Sequence, residues 1–390
     1  MKIIHTSDWH LGQNFFEYDR REDHNNMIDQ LADLIKEEEP DALVIAGDVY
    51  DIAAPNTSVQ RELAEYIVRL HDIRPEMVIV CISGNHDSAS RHEIYQTPWE
   101  ALNVHMTGKI DSDVLENNII PVRDKGWIVT VPYTNERFLN DVFFSSLESA
   151  VKEHTEEKLP IVYVGHAAIS GRDFSGHQTQ NEKYIGGIEC TSIDKIGEVY
   201  DYVALGHIHK QQAIDKKGRV WYSGTPIAVS FDEVYSGNEH GVLLVDCPAH
   251  KAPATIKPVA IHNIHPLVNL PYEGFAEWEK VKELFAGYDA DIPSFIRLNV
   301  EVDGYLPIGA NDEAKNIAES KACKLCYINS KRKEKEADSV RTKTFTTTEL
   351  KQIDFMEVAQ MYIESQGEVF DDDMKSMLEE VKELLNQKND

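Results

Sequence analysis

KIIHTSDWH, residues 2–10, is an apolar run that stops on Asp8 and His10. Four further stretches repeat the arrangement. DALVIAGD (41–48) stops on Asp48, MVIVCISGNHD (77–87) passes Asn85 and His86, IVYVGH (161–166) stops on His166, and YVALGHIH (202–209) carries His207 and His209. Short Val- and Ile-rich runs bounded by glycine predict strands buried on both faces. In α/β sheets, ligand sites form in the crevice outside the carboxyl ends of the strands, so five such ends predict one shared cluster of these side chains. Carboxylate, imidazole and amide oxygen suit borderline-hard divalent cations. With no thiolate in the set, a structural zinc or iron–sulfur site is disfavoured. The inventory predicts a two-metal site in which Asp48, with two carboxylate oxygens, is the natural bridge. Such a pair of cations acidifies a bound water and neutralises charge on a transferring phosphoryl group.

In order, the elements DWH, GD, GNHD, GH and GHIH resemble the pattern of the calcineurin-like metallophosphoesterases. The resemblance implies that one metal takes Asp8, His10, Asp48 and His209, and the other Asp48, Asn85, His166 and His207. His86 would then be left as a non-ligand imidazole able to protonate a leaving oxygen. Asp51 stands where a carboxylate in some relatives orients that histidine, although a loop carboxylate or helix cap explains it equally well. The segments HTSDWHLGQ, GDVYD, SGNHDS, GHIHK and YSGTPIAVSF are similar to one branch of the family, the SbcD-type exonuclease subunits. Protein serine/threonine phosphatases are disfavoured, because this chain lacks their arginine after the GD segment and their Glu at the end of the third motif.

Between the first two runs, Met27, Leu31, Leu34 and Ile35 recur at helical spacing, and SVQRELAEYIVRLHDI (58–73) predicts a second helix. Strand, helix, strand is the rhythm of a layered α/β domain. WIVTVPY, RVWYSGTP and GVLLVD add strands, giving the two-sheet sandwich flanked by helices that the resemblance implies. That domain is expected over 1–264, ending near the stretch 248–266. A small α+β domain is expected over 265–333, with the rhythm strand, helix, strand, helix, strand and a half-buried strand carrying Ile296, Leu298, Val300 and Val302 on its covered face. In the SbcD family a domain here caps the site and touches DNA. Lys331, Arg332 and Lys333 could make a phosphate contact, but Glu334 and Glu336 directly after them favour an ordinary solvated stretch.

Residues 334–390 are expected to hold a polar connector and two amphipathic helices. Phe355, Val358, Ala359, Tyr362 and Ile363 form one stripe; Met374, Met377, Leu378, Val381, Leu384 and Leu385 form the other. By resemblance their destination is an SbcC-type coiled-coil ATPase. At 390 residues the chain allows two or three domains. A formal charge of −28 implies weak DNA affinity for this chain alone, since such affinity comes largely from Lys and Arg. Five cysteines, no apolar run approaching a membrane span and no signal sequence predict a cytoplasmic protein with no membrane partner. The single C-x-x-C, Cys323 and Cys326, reads as two residues of a strand.

The resulting expectation is a metal-dependent DNA nuclease, the catalytic subunit of an SbcCD-like complex. The resemblance implies 3′-to-5′ exonuclease action on duplexes, endonuclease action on single strands or hairpins, Mn²⁺ as the effective ion, and a homodimer. Two alternatives stand beside it: a small-molecule phosphodiesterase or phosphatase of the same superfamily, and a scaffold that mainly tethers DNA.

Overall fold

Every residue of strands Ala42–Ile45, Val78–Ile82, Ile161–His166 and Tyr202–Gly206 is buried, as continuous apolar runs require of parallel strands covered on both faces. The computed structural model describes residues 1–94, 96–134, 138–156, 158–169, 192–234, 239–289 and 292–333. The expected C-terminal helix pair lies outside the described residues.

The strands sort into two facing six-stranded sheets. In the first, Lys2–Thr6, Ala42–Ile45, Val78–Ile82 and Val104–Thr107 run parallel, and Gly241–Asp246 and Thr255–Ala260 add antiparallel beside Lys2–Thr6. In the second, Gly126–Val131, Ile161–His166, Tyr202–Gly206 and Val220–Tyr222 are parallel, with antiparallel edges Ile119–Val122 and Gln212–Ala213. Ile3, Val44 and Val80 meet Ile128, Val164 and Ala204 between the sheets.

Helices cover the outer faces. Arg21–Glu38 and Thr57–Ile73 pack on the first sheet through Met27, Leu31, Ile35, Leu63, Ile67 and Leu70. Asp141–His154 packs on the second through Phe144, Leu147 and Val151. Asn56 starts the helix Thr57–Ile73 by accepting the Val59 N–H at 3.0 Å, a cap whose removal costs about 1 kcal/mol. Ile67 is fully buried in that core, and truncating such a side chain to alanine costs ~2–5 kcal/mol. Core packing therefore accounts for the apolar face of this helix.

A three-stranded parallel sheet, Leu267–Leu270, Ser294–Val302 and Cys323–Arg332, carries helices Trp278–Gly287 and Ala310–Ala318, in the expected order. It belongs with the sandwich to one compact unit, Met1–Arg332. Two expectations need correction. The stretch 248–266 is more than a domain end, because Thr255–Ala260 is an edge strand, where a sheet tolerates Pro258. Strand Ser294–Val302 is buried on both faces rather than one. Ile296, Leu298 and Val300 face the two helices, while Phe295 packs on Phe15 and Phe231 of the sandwich. On that second face Arg297 donates to Asp232 at 2.6 Å and to Asn269 at 2.8 Å. Docking onto the sandwich thus buries the face that alternation alone would leave to solvent. Cys323 and Cys326 are strand residues with free thiols.

Candidate metal centre

The ligand-bearing strands of both sheets finish at one end of the sandwich. There the loop after Lys2–Thr6 zips to the loop after Ala42–Ile45. Asp8, His10 and Leu11 N–H groups donate to the carbonyls of Gly47, Asp48 and Val49 at 2.9, 3.1 and 2.8 Å. Asp87 clamps the third loop to these two. Its carboxylate accepts from the N–H groups of Gly84 (2.8 Å), Val49 (3.1 Å) and Tyr50 (3.0 Å). The resulting turns are sharp. Asp8, His10, Asp48 and His207 all have positive φ (54°, 48°, 49° and 98°), a conformation that persists in bulky residues only where the surroundings over-determine it. Gly84 is required by close approach, since a Cβ there would lie 2.1 Å from the Asp48 carboxylate.

Two buried trios result: Asp8, His10 and His209, and Asp48, His166 and His207, each with its ligand atoms within 4.8 Å of one another. Asn85 joins the second trio, its Oδ1 lying 2.9 Å from both His166 Nε2 and His207 Nδ1. Asp48 Oδ2 lies 3.4 Å from His166 Nε2, and its other oxygen accepts the His86 N–H at 2.8 Å. All seven proposed ligands therefore converge from both sheets.

The chemistry of this pocket fits divalent cations. Both His10 ring nitrogens are buried without a hydrogen-bond partner, an arrangement that is costly unless a cation or proton uses them. Burial opposes charge on His10, but Asp51, Asp48 and Asp8 outweigh it and raise its pKa to about 9. His166 is likewise raised to about 9, burial being outweighed by Asp48 and Asp8. Burial raises the Asp8 carboxyl above its ordinary value. Asp48 is held well below the carboxylate range, because His166, His10 and His86 overcome the burial cost.

Hydrogen bonds outside the trios set the ring orientations. His166 Nδ1 donates to the Ala46 carbonyl at 2.8 Å, which commits Nε2 to the metal side. His209 Nδ1 meets Glu233 Oε1 at 2.9 Å, and burial lowers the pKa of this ring to about 4. Glu233 Oε2 accepts from Thr225 Oγ1 at 2.9 Å and the Val229 N–H at 3.2 Å, while burial pushes its carboxyl up to about 7. The sequence reading missed Glu233 and gave Asp87 no role. Each is one acid among 67 Asp and Glu; the only available signal was the position of Glu233 directly after YSGTPIAVSF, and of Asp87 after GNH.

His86 is set apart from both trios, stacked edge-on to His10 with ring centroids 4.9 Å apart. The structure brings Asp51 to it by a different group from the one expected. The Asp51 carbonyl accepts from His86 Nδ1 at 2.8 Å, whereas the Asp51 carboxylate faces His10 Nδ1 at 3.4 Å. A carbonyl only accepts, so Nδ1 carries the hydrogen and Nε2 is the proton-exchanging nitrogen. The site opens into a cavity of about 700 Å³, bordered by His10, Asn85 and His86 on one side and by Phe16, Phe231 and Tyr327 on another.

A nest of buried carboxylates, imidazoles and one amide at paired strand ends defines a two-metal phosphoesterase, and the chain belongs to that class: the family model for calcineurin-like phosphoesterases matches residues 1–211. Within the class it groups with the SbcD subunits of the nuclease SbcCD. The Rhodobacter capsulatus protein of that name is 30% identical over 318 residues, covering 74% of this chain and 75% of that one. The Escherichia coli protein is 30% identical over 256 residues, 60% of this chain and 62% of that one. The Bacillus subtilis protein is 28% identical over 288 residues, 69% and 71% of the respective chains. Among the described residues no helix is long and apolar enough to cross a membrane.

Proposed function

We propose that this chain is a metal-dependent DNA nuclease, the catalytic subunit of an SbcCD-type complex in DNA end processing, acting as a 3′-to-5′ exonuclease on duplexes and an endonuclease on single strands and hairpins. The observation that carries the reading is the convergence of seven ligands from two sheets with His86 beside them but outside the ligand set. When bound, two divalent ions, taken here as Mn²⁺, supply an acidified water and charge neutralisation at the phosphoryl group. Asp8, His10, Asp48 and His209 hold one ion, and Asp48, Asn85, His166 and His207 the other. His86 Nε2 delivers a proton to the leaving oxygen, and the Asp51 carbonyl fixes the ring that does so. The name of the relatives supports DNA as substrate and an SbcC-type ATPase as partner.

The same reading assigns 1–264 to the nuclease domain, 265–333 to a cap over the site and 334–390 to the partner-binding segment, in a homodimer acting in the cytoplasm. A charge of −28 fits a protein that borrows DNA affinity from its partner. Purified protein with Mn²⁺, offered a DNA hairpin, a linear duplex and a cyclic nucleotide side by side, tests the substrate. Cleavage of the cyclic nucleotide alone would overturn the nuclease reading. Removing residues 334–390 should abolish co-purification with the ATPase, and undiminished co-purification would remove the partner assignment.

A further inference from the structure

Strands Asn14–Phe15 and Tyr18–Asp19 form a hairpin closed by two residues, Phe16 and Glu17, with φ of 49° and 70°. Positive φ at both central positions is the turn geometry that asparagine and glycine normally fill. An aromatic residue and a glutamate here hold backbone strain, of the kind that gathers at functional sites. Anchoring the hairpin does not require Phe16. Phe15 does that, 5% exposed and packed on Phe231 and Phe295. The strained turn instead sets the half-buried Phe16 ring at the border of the metal cavity, stacked on Tyr327 with centroids 4.6 Å apart and planes 24° apart. Tyr327 is itself braced, its hydroxyl 3.3 Å from an Arg297 nitrogen that also binds Asp232 at 2.6 Å.

The rest of the cavity wall decides what this ring is for. Among the described residues lining it there is no lysine or arginine, and Glu17, Asp51 and Asp232 are acidic. Away from the metal ligands such a wall repels phosphate, so affinity for a nucleotide must come from the uncharged face of its base. About 700 Å³ is room for a nucleoside beside the phosphate. We propose that Phe16, backed by Tyr327, is the platform on which the nucleobase next to the scissile phosphate stacks, a specificity-determining contact that selects unpaired nucleotides. The proposal rests on the nuclease reading and adds the feature that the site recognises.

The test uses the full chain with Mn²⁺, wild type against Phe16→Leu, Phe16→Trp and the double variant Phe16→Asn with Glu17→Gly. Substrates are a single-stranded oligonucleotide and its counterpart with one abasic nucleotide beside the cleaved bond. Phe16→Leu should raise KM for the intact strand by about 5- to 100-fold, the worth of one stacked base, with kcat affected far less. Phe16→Trp should restore KM. The double variant gives the turn its favoured sequence, so a raised KM there cannot be blamed on a lost hairpin. Wild type should show the same KM penalty on the abasic strand, and Phe16→Leu should be indifferent to the missing base. Unchanged KM in Phe16→Leu and the double variant, or equal sensitivity of wild type and Phe16→Leu to the missing base, overturns the proposal. A wild type that hydrolyses bis(p-nitrophenyl) phosphate but no DNA defeats the nuclease reading and this one with it. Wild-type DNA cleavage with a KM insensitive to the base defeats the stacking alone.

Discussion

Replacing Glu233 by glutamine should weaken one metal site without touching a metal ligand. Glu233 is buried and uses both oxygens as acceptors, one for His209 Nδ1 and the other for Thr225 Oγ1 and the Val229 N–H. Glutamine cannot serve all three. With its oxygen toward His209, its NH₂ confronts the Val229 N–H; turned round, it donates to His209 Nδ1 and forces the ring proton onto Nε2, the nitrogen meant for the metal. One buried polar group is lost in either pose, at about 1–3 kcal/mol. Partners of this kind are worth roughly 10- to 100-fold in metal affinity, or about 1.4–2.7 kcal/mol. The Mn²⁺ concentration for half-maximal activity, together with calorimetric titration, should therefore rise by ~10- to 100-fold, while activity at saturating Mn²⁺ stays within a few-fold of wild type. Half-saturation at the wild-type concentration would refute the reasoning. So would a deep loss of activity that added metal fails to restore, because the residue would then act on the reaction and not on the ligand.

Three further outcomes follow from the same geometry. Asp48→Ala should lose both ions by elemental analysis of the purified protein, whereas His10→Ala retains one; full occupancy in Asp48→Ala would end the bridging assignment. His86→Gln should keep its metal content and DNA binding while kcat falls by ~10²–10⁴, as expected for removal of a proton donor, and a wild-type rate would exclude that role. Folding stability should carry the imprint of His5, whose pKa burial lowers to about 3. A histidine held neutral in the fold contributes stability that is complete above its unfolded pKa of ~6.5 and lost as pH falls toward 3, at ~1.4 kcal/mol per pH unit. Denaturant midpoints between pH 7 and 5 should therefore fall more steeply in wild type than in His5→Gln, and parallel curves would count against it.

The metal ligands were legible because each sits at the end of a strand whose apolar run is readable in isolation. DWH, GD, GNHD, GH and GHIH each combine a local pattern with a local chemistry. What was not legible depends on contacts between distant segments. Glu233 acts on a ring 24 positions away in sequence, and its neighbours in SFDEVY carry no distinguishing pattern. The position of Asp51 was readable, but which of its groups meets His86 is set by the path of the loop after Asp48. Alternation along 296–302 identified one apolar face correctly. It could not announce that Phe295 and Arg297 on the other face are covered by the sandwich, because that cover comes from Phe15, Phe231 and Asp232.

The central place of strand Lys2–Thr6 has a consequence for how the protein is made. One neighbour, Ala42–Ile45, leaves the ribosome soon after it, but the other, Gly241–Asp246, pairs across more than 230 residues, Lys2 with Asp246 and His5 with Leu243. At ~5–20 residues per second, synthesis of that interval takes on the order of 10–50 s. Throughout it, one edge of an apolar strand has no partner in the emerging chain, the state in which strands pair with other molecules. The nascent protein is thus most exposed to aggregation before any of its chemistry exists, and dependence on chaperones should be greatest for chains stalled between His209 and Gly241, whose ligands are all translated but whose first sheet is still missing its antiparallel strands.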